Sequence, residues 1–189
     1  AKTTAAAAAL CEATAVALRK LLGDWLLVEG TKEIPELVLD RLVSKNRTVA
    51  FAESCTGGLC AARLTDLPGS SQVLQGGVVA YSNAAKVELL GVSESLLIAH
   101  GAVSEAVASA MAEGARQRFA ADFAIATTGV AGPAGGTEDK PVGMVCFASS
   151  SVRGPGSIDT RAWTVHIPDL GRTFVRNRAV YEVWRALLL

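Results

Sequence analysis

Apolar positions along the 189-residue chain fall into two periods. Helical spacing runs from Ala5 to Leu22, with Val16, Leu18, Leu21 and Leu22 as its apolar positions and Gly23 as its stop. The run Trp25–Val28 predicts a short strand or an extended connector, and Gly30–Glu33 a polar loop. Pro35 stands where helices begin, and Leu37, Val38, Leu42 and Val43 carry a helical pattern to Lys45. Short apolar runs bounded by turn residues predict strands at Thr48–Ala52, Val73–Tyr81, Phe123–Thr128, Val142–Ser149 and Thr160–Ile167. Helical patterns fill Leu59–Leu64, Ala84–Leu90, a short segment capped by Ser93, the amphipathic stretch from Ser104 to Phe119, and Gly171–Leu188. Helices alternating with short apolar strands define an α/β fold around a largely buried sheet.

Composition narrows the classes of function. The 18 basic and 18 acidic residues cancel, so the chain lacks the electrostatic footprint of a nucleic-acid binder. Half of the residues are hydrophobic, which is not the composition of a disordered chain. No apolar run approaches the roughly 18 residues of a membrane span. The four cysteines (Cys11, Cys55, Cys60, Cys146) form no CxxC pair, and the two histidines, His100 and His166, stand apart. Neither a disulfide framework nor a zinc site is expected. Reduced thiols and the absence of a signal-like h-region at Ala5–Leu10 fit a cytoplasmic protein.

The most informative pattern is strand, then Glu53-Ser54-Cys55-Thr56-Gly57-Gly58, then helix. A serine at the carboxyl tip of a strand stands at the crevice where open α/β sheets bind ligands. Amides at the helix start can hold an anion or a developing oxyanion. An ordinary tight turn with Ser54 as a helix cap fits the same local pattern. As a nucleophile Ser54 needs a base, and neither histidine is well placed. Lys86 follows Tyr81-Ser82-Asn83 at a second strand-to-helix junction and can act as a base if burial lowers its pKa. The Tyr81 hydroxyl is then a candidate relay between serine and lysine. Cys55, beside Ser54, is the rival nucleophile, against the plainer reading of a buried small hydrophobe. Two further loops, Gly69-Ser70-Ser71-Gln72 and Thr128-Gly129-Val130-Ala131-Gly132-Pro133, are rich in hydroxyls and backbone donors, and neither is a P-loop. Arg172, near the start of the last helix, offers a charge-assisted contact to phosphate or carboxylate.

Ala52–Gly58, Pro68–Ser71, Tyr81-Ser82-Asn83 with Lys86, Gly101–Glu105, Met111-Ala112, Thr128–Pro133 and Lys140–Gly143 stand in an order that resembles the CinA C-terminal domain family. The resemblance covers Leu37 to Leu188. It implies a three-layer α/β/α sandwich with a mixed, largely buried sheet, and a metal-free, cofactor-free amidohydrolase. The implied reaction hydrolyses the carboxamide of nicotinamide mononucleotide to nicotinate mononucleotide and ammonia, a step of pyridine nucleotide salvage. Carried over by motif, Ser54 is the nucleophile, Lys86 the general base and Tyr81 the third member. Amides at Thr56, Gly57 and Gly58 become oxyanion candidates. Ser70, Ser71, Asn83, Thr128, Gly129, Ala131, Gly132 and Arg172 become candidate mononucleotide contacts. The implied partners are a small-molecule substrate and further copies of the chain, with no nucleic acid and no membrane. The closing helix, apolar through Val180, Val183, Trp184, Leu187 and Leu188, is the expected dimer seam. Residues 1–33 read as a helix and connector, the remnant of a linker in two-domain relatives, and residues 34–189 as the amidohydrolase domain.

Overall fold

The computed structural model describes residues 3–23, 30–154 and 157–188. The expected strand or connector at Trp25–Val28 lies outside the described residues. The chain divides into two compact units, Ala1–Lys32 and Glu33–Leu189. The first carries helix α1 (Thr4–Leu22), whose Thr3 hydroxyl caps the Ala6 amide at 3.2 Å.

The second unit holds the sheet. Helix α2 (Ile34–Ser44) starts in a capping box, with the Glu33 amide donating to Glu36 Oε2 at 2.7 Å and proline in the first turn. There follow β1 (Val49–Glu53), α3 (Leu59–Thr65), a 3-10 turn at Ser70–Gln72, β2 (Leu74–Val79), α4 (Asn83–Leu90), α5 (Glu94–His100) and α6 (Glu105–Arg118). The chain ends in β3 (Phe123–Gly129), β4 (Met144–Gly154), β5 (Ser157–His166) and α7 (Arg172–Leu188). The strand order is β2-β1-β3-β4-β5. β1 lies parallel to β2 and β3, whereas β4 and β5 run antiparallel, so the sheet is mixed. Helices α2, α3 and α7 cover one face and α4, α5 and α6 the other, which makes three layers.

Strand alternation sorts the two faces by size. Phe51, Ile125, Val145 and Phe147 point toward α2, α3 and α7, with the Phe51 ring edge-on to Trp184 at 6.1 Å. Ala50, Ala52, Ala124, Ala126, Cys146 and Ala148 point the other way, against Ala108, Met111, Ala112 and Ala115 of α6. Small side chains on both sides let α6 lie close to the sheet. The approach of α6 to α4 is closer still. A methyl group at Gly114 would overlap the Leu90 carbonyl oxygen and sit 2.8 Å from its carbon. Gly114→Ala is therefore expected to destabilise the fold by about 2 kcal/mol, because overpacking outweighs alanine's helix advantage of about 1 kcal/mol. A urea midpoint equal to or above that of the wild type would contradict this close approach.

Asp122 fastens the start of β3 to the start of β1. Its carboxylate accepts from the Thr48 amide and hydroxyl, each at 2.9 Å, and from Arg47 at 2.7 Å. Burial opposes its ionisation, but these donors outweigh that and hold the carboxyl below the ordinary aspartate range. One expectation fails in α7. Val180, Val183 and Trp184 are buried in the chain's own core, and Leu187 and Leu188 pack against it. The apolar face of the closing helix is therefore covered by its own sheet and is not a dimer seam.

Candidate active site

Ser54 follows β1 directly, at the carboxyl edge of the parallel strands. Its amide donates to the Thr127 carbonyl at 2.9 Å, which continues the β1–β3 ladder. The chain then turns through Gly57 (φ +62°) and Gly58 (φ +95°), a left-handed path that glycine takes without steric cost. Glu53, the residue before Ser54, holds the turn. Its buried carboxylate accepts from the amides of Gly58 (2.9 Å), Cys60 (3.0 Å) and Ala61 (3.0 Å), which start helix α3. Arg176 of α7 donates to the Thr56 carbonyl at 2.8 Å and packs over the same turn.

Lys86 projects from α4 and is only 1% exposed. Its Nζ lies 3.1 Å from Ser54 Oγ, 2.9 Å from the Ala80 carbonyl and 3.3 Å from the Tyr81 carbonyl. Among the described residues no carboxylate forms an ion pair with it. Burial lowers its pKa from the ordinary lysine value, against a smaller opposing effect of Cys55. A neutral amine has two N–H groups and one lone pair. In that neutral form the two carbonyls can take the N–H groups, which leaves the lone pair for the Ser54 hydroxyl.

The remaining expected residues divide clearly. The Tyr81 hydroxyl does not lie between Ser54 and Lys86. Tyr81 is 61% exposed, and its hydroxyl accepts from Arg172 at 2.9 Å. The tyrosine serves the pair through its carbonyl instead. Arg172 also donates to the Gly132 carbonyl at 2.8 Å, so it joins Tyr81 to the Thr128–Pro133 loop. The amides of Gly57 and Gly58 are already used, by the Ser54 carbonyl at 3.1 Å and by Glu53. The Thr56 hydroxyl is buried against that of Thr127 at 2.7 Å, and Thr128 donates to the Ala102 carbonyl at 2.8 Å. Gly129 is paired in the β3–β4 ladder, and Ala131 is buried in the core. Asn83 is exposed at the start of α4, behind its cap Ser82.

Ser70 and Ser71 sit at the wrong end of the sheet. They precede Leu74, which pairs with Val49 at the start of β1, whereas Ser54 follows the Glu53–Val79 pair at the other end. Strand rise separates them from Ser54 by roughly 15 Å. Parallel pairing and register, which set this, have no local sequence signal. Burial pushes the Cys55 thiol up to about 12, with the Glu53 charge adding to it, so the thiolate needed for a cysteine nucleophile does not form near neutrality. Sequence reasoning missed Glu53, the Ala80 carbonyl and Arg176. An acid immediately before a turn that opens a helix is the signal that identifies Glu53.

A buried lysine paired with a serine at the strand tips of a mixed α/β/α sandwich defines a class of α/β protein with a candidate Ser–Lys centre. The family model for the CinA C-terminal domain matches residues 31–188, and the chain belongs to that family. It is 58% identical over 165 residues to a CinA-like protein of Mycolicibacterium paratuberculosis, covering 86% of this chain and 37% of that protein. A putative competence-damage inducible protein of Symbiobacterium thermophilum is 51% identical, with 86% of this chain and 39% of the relative covered. The chain thus spans under two fifths of the length of these curated relatives. The crystal structure of competence/damage inducible protein CihA from Agrobacterium tumefaciens superposes with a TM-score of 0.77 at 39% identity, covering 85% of this chain and 97% of that one. The competence damage-inducible protein A from Klebsiella pneumoniae gives 0.76 at 34%, covering 83% and 96%. Among the described residues no helix is long and apolar enough to cross a membrane.

Proposed function

We propose that the second unit is an amidohydrolase that converts nicotinamide mononucleotide to nicotinate mononucleotide and ammonia through a Ser54 acyl-enzyme. The observation that carries the reading is a buried lysine, with no acidic partner among the described residues, 3.1 Å from a serine oxygen. Ser54 Oγ attacks the carboxamide carbon while its proton passes directly to Lys86 Nζ. The carbonyl electron pair moves onto oxygen, and the amides of Cys55 and Thr56, which follow the nucleophile in the chain, can stabilise it. When the tetrahedral intermediate collapses, the C–N bond breaks and Lys86 returns the proton to the leaving nitrogen, which departs as ammonia. Water then attacks the acyl carbon with Lys86 again taking the proton. The C–Oγ bond breaks, Lys86 passes that proton to Ser54 Oγ, and nicotinate mononucleotide leaves with the hydroxyl and the neutral amine restored. Tyr81 has no place in the proton path. Its hydroxyl, with Arg172, belongs to the substrate side, where the guanidinium can meet the phosphate.

The test is ammonia release from nicotinamide mononucleotide without added metal, run beside nicotinamide riboside. Release from the mononucleotide, at a kcat/KM at least tenfold above the riboside, is expected. No release from either compound would overturn the amidase reading, and equal rates would remove Arg172 from phosphate recognition. By the same reading residues 34–189 form the catalytic domain and residues 1–33 a connector.

A further inference from the structure

A cavity of about 660 Å³, lined in part by α2 and α7, does not include Ser54 or Lys86 in its walls. Its sheet wall includes Phe123 and Ile125 at the start of β3, paired with Ser151 and Ser149 of β4. Trp163 and Val165 of β5 are level with the end of β1 that Ser54 follows, but β5 stands three strands from β1, so roughly 14 Å of sheet width separates them from Ser54. The volume is that of a small-molecule site. Its wall is apolar and flat on one side. Trp163 is stacked on Phe147, ring centroids 5.4 Å apart and planes 10° apart, which fixes the plane of the indole in the wall.

The rim is cationic in a chain whose net charge is zero. Arg41, Lys45, Arg47, Arg153, Arg161 and Arg185 line the cavity, against the carboxylates of Asp159 and Glu182. Each of those carboxylates is shared. Asp159 takes Arg153 at 2.6 Å and Arg161 at 3.1 Å, and Glu182 takes Arg178 at 2.6 Å and Arg185 at 3.7 Å. Arg47 is held by Asp122. Among the described residues no carboxylate pairs with Arg41 or Lys45. Positive charge gathered around a concave, low-dielectric wall focuses the field and draws small anions.

We propose that this cavity binds a nucleotide-class ligand, a small polyanion carrying a flat aromatic ring. The ring lies against Trp163, and the phosphates lie among Arg41, Lys45 and Arg161, where guanidinium forks and an ammonium give charge-assisted hydrogen bonds. The site is independent of the amidase reading, because no residue is shared between the two.

Calorimetric titration of the full chain with ATP at low salt tests it, with inorganic triphosphate as the ring-free control. One ATP per chain is expected, with affinity falling as salt rises. Ser54→Ala and Arg172→Ala are expected to leave that affinity unchanged. The Arg41→Ser/Lys45→Ser double variant, confined to side chains with no carboxylate to lose, is expected to weaken it at least tenfold at an unchanged urea midpoint. Trp163→Leu is expected to weaken ATP but not inorganic triphosphate. No binding at millimolar ATP would overturn the proposal, as would an affinity that follows Arg172 and ignores Arg41 and Lys45. A wild-type dimer that the double variant dissociates, with no ATP bound, would assign the face to a second copy and overturn it equally.

Discussion

Ser54→Ala is expected to lower turnover of nicotinamide mononucleotide by about four orders of magnitude or more, with stability changed by no more than about 1 kcal/mol. The two expectations have separate origins. Ser54 is 8% exposed, and its hydroxyl has one described partner, Lys86 Nζ. Removing the oxygen takes one hydrogen bond from the fold and leaves the lysine both of its carbonyl acceptors. The turn itself is held by the Glu53 carboxylate and by the Ser54 amide, neither of which the substitution touches. Chemistry loses far more, because no other nucleophile stands at this strand tip: the Cys55 thiol is buried and stays protonated. Single-turnover measurement of ammonia, paired with a urea melt, reads both quantities. A variant keeping more than about a tenth of the wild-type kcat would have lost under about 1.4 kcal/mol of barrier stabilisation, and a nucleophilic role for Ser54 would be untenable.

Lys86→Arg is the second large effect, with an expected loss of about a thousandfold in kcat/KM, inside the usual range for a general base. The substitution keeps positive charge and hydrogen-bond donors for the Ala80 and Tyr81 carbonyls. What it removes is the lone pair, since a guanidinium does not deprotonate in a protein. The pH profile of the wild type separates this from a packing defect. Only the neutral amine accepts the Ser54 proton, so activity should rise with pH through the folded pKa of Lys86, which burial places below 10.5. Stability shares that direction. The folded state disfavours the ammonium relative to the unfolded chain, so the penalty is full below the folded pKa and fades as pH climbs toward the unfolded value. The residual activity of Lys86→Arg should lack this rising limb. Full activity in the variant, or a wild-type profile flat on its acid side, would exclude Lys86 as the base.

Most of this architecture was legible in the chain because its signals are local. Gly23, Ser104 and the apolar periods placed α1, α6, β1, β2 and β3 within two residues of their observed ends and Ser93 placed the start of α5, whereas β4 runs five residues past the expected Ser149 and β5 starts three before the expected Thr160. Ser54 and Lys86 were visible because each follows an apolar strand run at a helix start. Their direct contact was not, since it depends on β1 and β2 being parallel neighbours. The same long-range pairing decides against Ser70 and Ser71, whose Gly-Ser-Ser turn is indistinguishable from a binding loop until the register shows which end of β2 it enters. Tyr81 was misassigned for a related reason. Proximity in sequence to Lys86 suggested a relay, but the tyrosine ring leaves the strand toward α7, where Arg172, 91 residues away in sequence, takes its hydroxyl. The amides of Gly57 and Gly58 were misread because a sequence does not reveal that the neighbouring Glu53 has already claimed the helix start.

The bond from the Ala80 amide to the Glu53 carbonyl, 2.8 Å long, has a meaning beyond strand pairing. It couples the residue before the nucleophile to the residue whose carbonyl holds the base. The spacing of the two reactive atoms is therefore a lattice constant of the sheet, set at the moment β1 and β2 zip together and insensitive to how the surrounding loops breathe. Assembly of the chemical pair and completion of the fold are one event, and the motions left for a catalytic cycle belong to the substrate's side of the crevice.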